Sequence, residues 1–368
     1  MDDVLWKLEQ ATAAKHILYK RYLDAWWPIM LQPVPPKGYS RPRVTYVDAF
    51  AGPGEYADGE DGSPIFALER LLNHVARDRM DLRQSRACLI FIEKDRRRYE
   101  HLLGKIRKRF GDIDKLPVWV VVRHGEAATE TAAALTQTRA WGKPILAIFD
   151  SWGNVNVPFG LVKQIAQNKS SEVITTFGPN WFSRREKENP EQLDEVFGGR
   201  TFWQAADRET RPDERWRVWL ETYRQSLVRA GFPYQLKFEV VPKTGQPLNL
   251  VFGTSSDKGV EAMKDAMWKV DGVDGMSFRD PRTRGGALKM QMDLFAQAEQ
   301  EDEVTELIMQ RLGRASATLE EIREWLLCET SRWRRKDAQS AVASMIERGL
   351  AKASPQGRLT KASVVSLA

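Results

Sequence analysis

The chain has 368 residues, 42% hydrophobic and 29% charged, which excludes a disordered or fibrous polymer and leads us to expect about two domains with real cores. No apolar run approaches the roughly 18 residues of a membrane span, and the opening MDDVLWKLEQ, acidic before apolar, is unlike a signal peptide. No membrane contact and a cytoplasmic location are expected. Lys plus Arg number 56 against 50 Asp plus Glu, a modest basic excess that permits a nucleic-acid partner without requiring one.

In chain order, residues 4–31 predict a helix, with Leu5, Leu8, Ile17, Leu18, Tyr22 and Leu23 at mostly three-to-four spacing until Pro28 stops it. After PVPPKGYSRP comes VTYVDAF (44–50), a β-branched and aromatic run of the length of a strand buried on both faces. Further strands are expected at 87–93, 118–122, 145–150 and 172–178, alternating with helices at 64–79, 95–110, 126–139 and 158–168. That alternation predicts a doubly wound, Rossmann-like α/β sheet. Residues 179–230 read as mostly helical. YQLKFEVVP and PLNLVFG then flank KTGQ as a hairpin-like pair, and DKGVEAMKDAMWKV follows as a helix. Cys88 and Cys328, 240 positions apart, supply neither a disulfide framework nor a metal site.

The segment 281–300 changes character, and a boundary is expected there: one domain over 1–285, a linker over 286–300 and a second domain over 301–368. Helices at 302–312, 318–327 and 335–348, followed by two short segments around Pro-Gln-Gly, predict a winged helix-turn-helix, with 331–348 in the recognition-helix place. Arg332, Arg334, Arg335 and Lys336 at its head are expected to meet nucleic-acid phosphates or groove edges. Winged helices also dock proteins, so that partner class stays open.

The informative run is Asp48-Ala49-Phe50-Ala51-Gly52-Pro53-Gly54. In an open parallel sheet the ligand crevice lies beyond the carboxyl ends of the strands, where small residues let the backbone approach the ligand. The run is not GxGxxG, because Ala57 holds the third glycine position, and it is not a phosphate loop, because no Lys follows in place. An acid at the strand end beside the glycines suits a ligand with a cationic amino-acid moiety and a nucleoside, which is S-adenosyl-L-methionine. Asp48, Phe50, Ala51, Gly52 and Gly54 are then cofactor-binding. Glu93 ends the next strand, placed to accept the ribose hydroxyls, and Glu126 is placed toward the adenine. Asp150 and Trp152, in DSWG after the fourth strand, stand where the methyl acceptor should sit. The plainer reading is that each acid caps the helix behind it and that Trp152 packs a rim.

The first helix with AAKHILYKRYLDAWWPIM, the turn YVDAFAGPGEY with GSPIFAL, FIEKD, and LVFGTSSDKGVEAMKDAMWKVDG together resemble the three-Cys-motif partner (TcmP) proteins, a class I methyltransferase-like family. The resemblance implies a C-terminal winged helix, a co-encoded three-Cys-motif protein as partner, and Lys15 and His16 folded over the cofactor pocket. The chain also resembles the bacterial ribosomal RNA methyltransferases that act on the exocyclic amine of adenine. Their fourth strand ends in an Asp-Pro-Pro-Tyr type motif, and three-Cys-motif partners show something like DPFG; here the place is held by DSWG. Two readings follow: a methyltransferase acting on a nucleic-acid base, with an exocyclic amine favoured, or a cofactor-binding partner protein without chemistry of its own.

Overall fold

The computed structural model describes residues 4–33, 41–151, 157–178, 189–207, 211–271, 275–282 and 296–368. Five parallel strands form where the apolar runs predict them: β1 (Val44–Asp48), β2 (Ala87–Glu93), β3 (Trp119–His124), β4 (Ile145–Phe149) and β5 (Glu172–Phe177). All but β3, which forms an edge, are buried along their whole length. The hairpin-like pair becomes β6 (Tyr234–Val241) and β7 (Leu248–Thr254), and β7 inserts antiparallel between β5 and β6. A three-residue strand, β8 (Ser277–Arg279), pairs parallel with β6 and is too short to signal itself in sequence. The sheet order is β3-β2-β1-β4-β5-β7-β6-β8.

The helices of this unit are α1 (Gln10–Met30), α2 (Ser63–Leu72), α3 (Arg96–Phe110), α4 (Ala127–Gln137), α5 (Phe159–Ala166), α6 (Pro190–Phe197), α7 (Pro212–Ala230) and α8 (Asp257–Val270). Strand alternation sends Tyr46 to one face, under α1, α2, α3 and α8, and Val47 to the other, under α4 to α7. Both faces are therefore covered, which is why the strands carry no polar alternation.

Two expectations for the first helix are corrected. The helix begins at Gln10, not at residue 4, and Trp6 before it accepts a backbone hydrogen bond from Ala57 (3.0 Å). Pro28 does not stop it, since the helix runs on to Met30. Proline lacks the N–H that would bond the carbonyl four residues back, which is that of Asp24. His74 Nε2 supplies the missing donor at 2.9 Å, while its Nδ1 accepts from the Ala76 N–H. The bond lost to proline is replaced from a neighbouring loop.

The C-terminal unit comprises α9 (Ala296–Leu312), β9 (Ala317–Thr318), α10 (Leu319–Glu329), α11 (Arg335–Glu347), β10 (Ala351–Ser354) and β11 (Val364–Leu367). The strands pair antiparallel in the order β10-β11-β9. Ile308, Ile322, Leu326, Val342, Met345 and Val365 are fully buried in a separate core. Thr318 and Glu321 form a capping box that fixes the start of α10. α9 starts inside the stretch expected as linker, of which residues 286–295 lie outside the described residues.

The two units meet along α8. Lys264 on α8 is fully buried and donates to the carbonyls of Leu327, Thr330 and Trp333, at 2.6, 2.7 and 2.7 Å. These carbonyls lie at and beyond the end of α10, where a cation meets both unpaired acceptors and the negative end of the helix dipole. Burial pulls the Lys264 ammonium down to about 7, and the three carbonyls oppose that pull by holding its charge. Trp268 Nε1 donates to the Arg332 carbonyl at 2.8 Å.

Candidate functional site at the carboxyl ends of β1 and β4

The order of connection reverses between β1 and β4, which opens a crevice beyond their carboxyl ends. After Asp48 the chain turns over the sheet, with Ala49 N–H bonded to Ile148 O (3.0 Å) and Ala51 N–H to Ile92 O (2.9 Å). Gly52 and Gly54 take φ of +62° and +84°, the left-handed region where a side chain is strained. A Cβ on Gly54 would stand 2.8 Å from Leu102. The turn thus presents bare backbone to the crevice.

Glu93 sits behind this turn. One carboxylate oxygen accepts from Gly52 N–H (2.9 Å) and the other from Asp95 N–H (2.7 Å). It fixes the height of the glycine turn over β2, and a carboxylate has further lone pairs for a ligand hydroxyl. Asp48 is almost fully buried, with one oxygen accepting from Phe50 N–H at 3.2 Å. Its other oxygen, Oδ2, has no hydrogen-bond partner. Burial raises its carboxyl to about 6; the Ser63 hydroxyl and the Phe50 N–H oppose the rise, and the charges of Asp150 and Glu93 add to it.

Asp150 follows β4 and is held from α1. Lys15 Nζ lies 2.7 Å from both carboxylate oxygens, and the Tyr19 hydroxyl donates at 2.9 Å. Lys15 and Tyr19 are one turn apart, so one face of α1 delivers both. Burial, and then the Asp150 charge, push the Tyr19 phenol well above its ordinary value, so it acts here as a neutral donor. His16 is buried against Phe66 and Tyr56, with Nε2 3.2 Å from the Tyr56 hydroxyl. Burial, and then Lys15, bring its imidazole down to about 3, and it stays neutral at physiological pH.

Lys15, His16, Asp48, Phe50, Ala51, Gly52, Gly54 and Asp150 all line the crevice. Glu126 does not; its side chain is 65% exposed and paired with Lys94 at 2.5 Å. Trp152 lies outside the described residues. Trp6, Thr12, Tyr19 and Tyr56 also line the crevice and were missed from sequence. Thr12, Lys15 and Tyr19 stand at helical spacing within the otherwise apolar, buried face of α1, and that interruption was the available signal. Trp6 Nε1 and Thr12 Oγ1 are buried without partners, so two donors and the Asp48 oxygen surround one crevice unsatisfied. Buried polar atoms rarely stay so. Among the described residues no three His, Cys, Asp or Glu side chains form a metal site.

The four basic residues of the C-terminal unit are placed differently from expectation. Arg335 is held by Asp257 and Glu261 of α8 and by Glu324, with its side chain only 11% exposed. Arg334 pairs with Asp337 at 2.8 Å and lies over the Trp268 ring, and Arg332 pairs with Glu303. Arg332, Arg334 and Arg335 thus make ion pairs at the junction and within their own unit instead of standing free at the head of α11. Lys336 stays 65% exposed, 3.7 Å from Asp265.

The reversal beside β1, the antiparallel β7 within a parallel sheet, and the glycine turn at the switch point define a Rossmann-like α/β fold. No family model matches the chain and no curated protein does. Among solved structures it is similar to Trm1 from Pyrococcus horikoshii in complex with S-adenosyl-L-methionine (12% identity, TM-score 0.36, covering 100% of this chain and 93% of that one). It is also similar to the B. subtilis M1A22 tRNA methyltransferase TrmK (11%, 0.29, 93% and 95%) and to an O-methyltransferase from Bacillus cereus in complex with SAH (12%, 0.32, 64% and 80%). No helix among the described residues is long and apolar enough to cross a membrane.

Proposed function

We propose that the chain is an S-adenosyl-L-methionine-dependent methyltransferase acting on the exocyclic amine of a nucleic-acid base. The observation that carries the reading is the crevice itself: a bare glycine turn and an unsatisfied Asp48 oxygen on one side, and Asp150 held by Lys15 and Tyr19 on the other. The cofactor fits this donor set. Its ammonium and sulfonium charges suit Asp48, its carboxylate suits the unpartnered Trp6 Nε1 and Thr12 Oγ1 that line the crevice, and its ribose hydroxyls suit the remaining lone pairs of Glu93. When bound, it supplies an electrophilic methyl group.

The protein's own part is to orient the acceptor. An adenine or cytosine amine is a weak nucleophile because its lone pair is delocalised into the ring. A carboxylate offers about four acceptor positions, of which Lys15 takes two and Tyr19 one, leaving about one for the amine N–H. That bond favours the geometry of attack, and fixing Asp150 in advance avoids reorganisation during the step. The base reaches the crevice unpaired or flipped. The C-terminal unit, with three helices and the β10-β11-β9 sheet, is read here as a winged helix-turn-helix, and the sequence motifs shared with three-Cys-motif partner proteins fit the same reading.

Isothermal titration with S-adenosyl-L-methionine and with S-adenosylhomocysteine tests the cofactor. Asp150→Asn should bind the cofactor with little change yet lose methyl transfer to oligonucleotides by about 100-fold or more, as expected when a transition-state contact is removed. Absence of cofactor binding by the wild type would refute the reading.

A further inference from the structure

Two surface grooves meet on α1. One, between α1 and α2, is lined by Lys20, Arg21, Asp24 and Arg70; the other, between α1, α8 and the head of α11, shares Arg21 and Asp24 and adds Lys269, Arg334 and Lys336. The first groove starts beside the crevice. Asp61 lines the groove while Gly62 lines the crevice, and the Phe66 ring stands 5.0 Å from both the His16 ring and the Lys20 ammonium.

The charges along this path are unequally satisfied. Asp24 is taken by Arg70, Glu69 lies 3.6 Å from Arg109, and Asp265 lies 3.7 Å from both Arg334 and Lys336. Lys20, Arg21 and Lys269 have no ion-pair partner among the described residues. Burial, and then Arg70, depress the Lys20 ammonium, and the charge of Asp61 in the same groove offsets only part of that. Val75, in the same groove, is a fully exposed apolar side chain on which a base can rest.

Resting on the methyltransferase reading of the crevice, we propose that this path binds a single strand of nucleic acid. Its phosphates are met in turn by Lys336, Lys269, Arg21 and Lys20, and one unpaired base is led past Phe66 into the crevice. A single file of cations leading to a buried acceptor suits one backbone, and a paired base cannot enter.

The test compares wild type with the triple variant K20A/R21A/K269A, using labelled oligothymidylate and oligouridylate of about 20 nucleotides and a duplex of equal length. A control triple, K163A/K169A/R217A, removes three exposed cations from helices and a loop packed on the other face of the sheet. Between about 50 and 200 mM salt, the slope of log affinity against log salt should flatten by about 2 for the groove variant, at roughly 0.7 per lost single-strand phosphate contact. The control should keep the wild-type slope, and all three proteins should bind S-adenosyl-L-methionine alike. An unchanged slope in the groove variant, an equal loss in the control, or wild type that binds no single strand overturns the proposal, and a duplex bound as tightly as single strand with the same charge dependence overturns its single-strand part. Salt-sensitive strand binding by a wild type that takes no S-adenosyl-L-methionine would leave the groove standing and bring down the methyltransferase reading.

Discussion

Asp48 is buried with one carboxylate oxygen, Oδ2, outside good hydrogen-bond geometry, although the Ser63 hydroxyl lies near enough to oppose its rise in pKa, and the folded chain tolerates this at a cost to its own stability. Its folded pKa of about 6 stands above the ordinary 3.8. Between those pH values the unfolded chain has released a proton that the folded chain retains, so stability falls as pH rises through the window and levels off above about 6. The whole effect is up to about 3 kcal/mol. Asp48→Asn should therefore flatten the melting temperature between pH 4 and 6 and raise it at pH 7, while weakening S-adenosyl-L-methionine binding; thermal melts with and without cofactor check both halves. Lys15 presents the opposite case, a buried cation satisfied by Asp150. Lys15→Met should destabilise by about 3 kcal/mol because it leaves a poorly solvated carboxylate, and Lys15→Met with Asp150→Asn should recover much of that loss. Urea titrations of the four proteins measure the coupling, and additive losses would mean that the pair contributes nothing as a pair.

Among the elements, α1 carries the sharpest departure from sequence rules, since it passes through Pro28 by borrowing a donor from His74. His74→Ala should cost about 1 to 3 kcal/mol by orphaning the Asp24 carbonyl. The same change in a Pro28→Ala background, where the N–H is restored, should cost clearly less; equal costs in chemical denaturation would show that His74 acts through something else. This compensation could not be read in advance, because residues 28 and 74 meet only in the fold. The strands were legible for the opposite reason: VTYVD, ACLIFIE and ILAIF are short continuous buried runs rich in β-branched and aromatic residues, the pattern of strands covered on both faces. β8 and β9, with three and two residues, hold too little pattern to be seen. In the site, the glycine turn and Asp150 were visible as strand-end motifs, whereas Lys15 gained its role from an acid 135 positions away. Trp6 escaped notice because residues 4–9 had been absorbed into the helix that follows them.

For the molecule as a whole, the telling contact is Lys264, a side chain of one unit that serves three carbonyls of the other. Lys264→Met keeps the volume and removes the donors, and should weaken the junction by roughly 2 to 5 kcal/mol. Calorimetry should resolve a single unfolding transition for the wild type and two for the variant, with the C-terminal unit melting first; a single transition in the variant would mean that the α8 ion pairs with Arg335 suffice to hold the units together. The same contact bears on how the C-terminal unit behaves toward duplex DNA or RNA. The chain's own α8 already sits on the head of α11, so a duplex approaching that end is a competitor for an occupied surface. Every 1.4 kcal/mol of junction energy then lowers its affinity tenfold. By reciprocity, a duplex that did win would loosen the hold on α8 by the same factor, and its arrival would be detected as separation of the two units rather than as a simple addition to them.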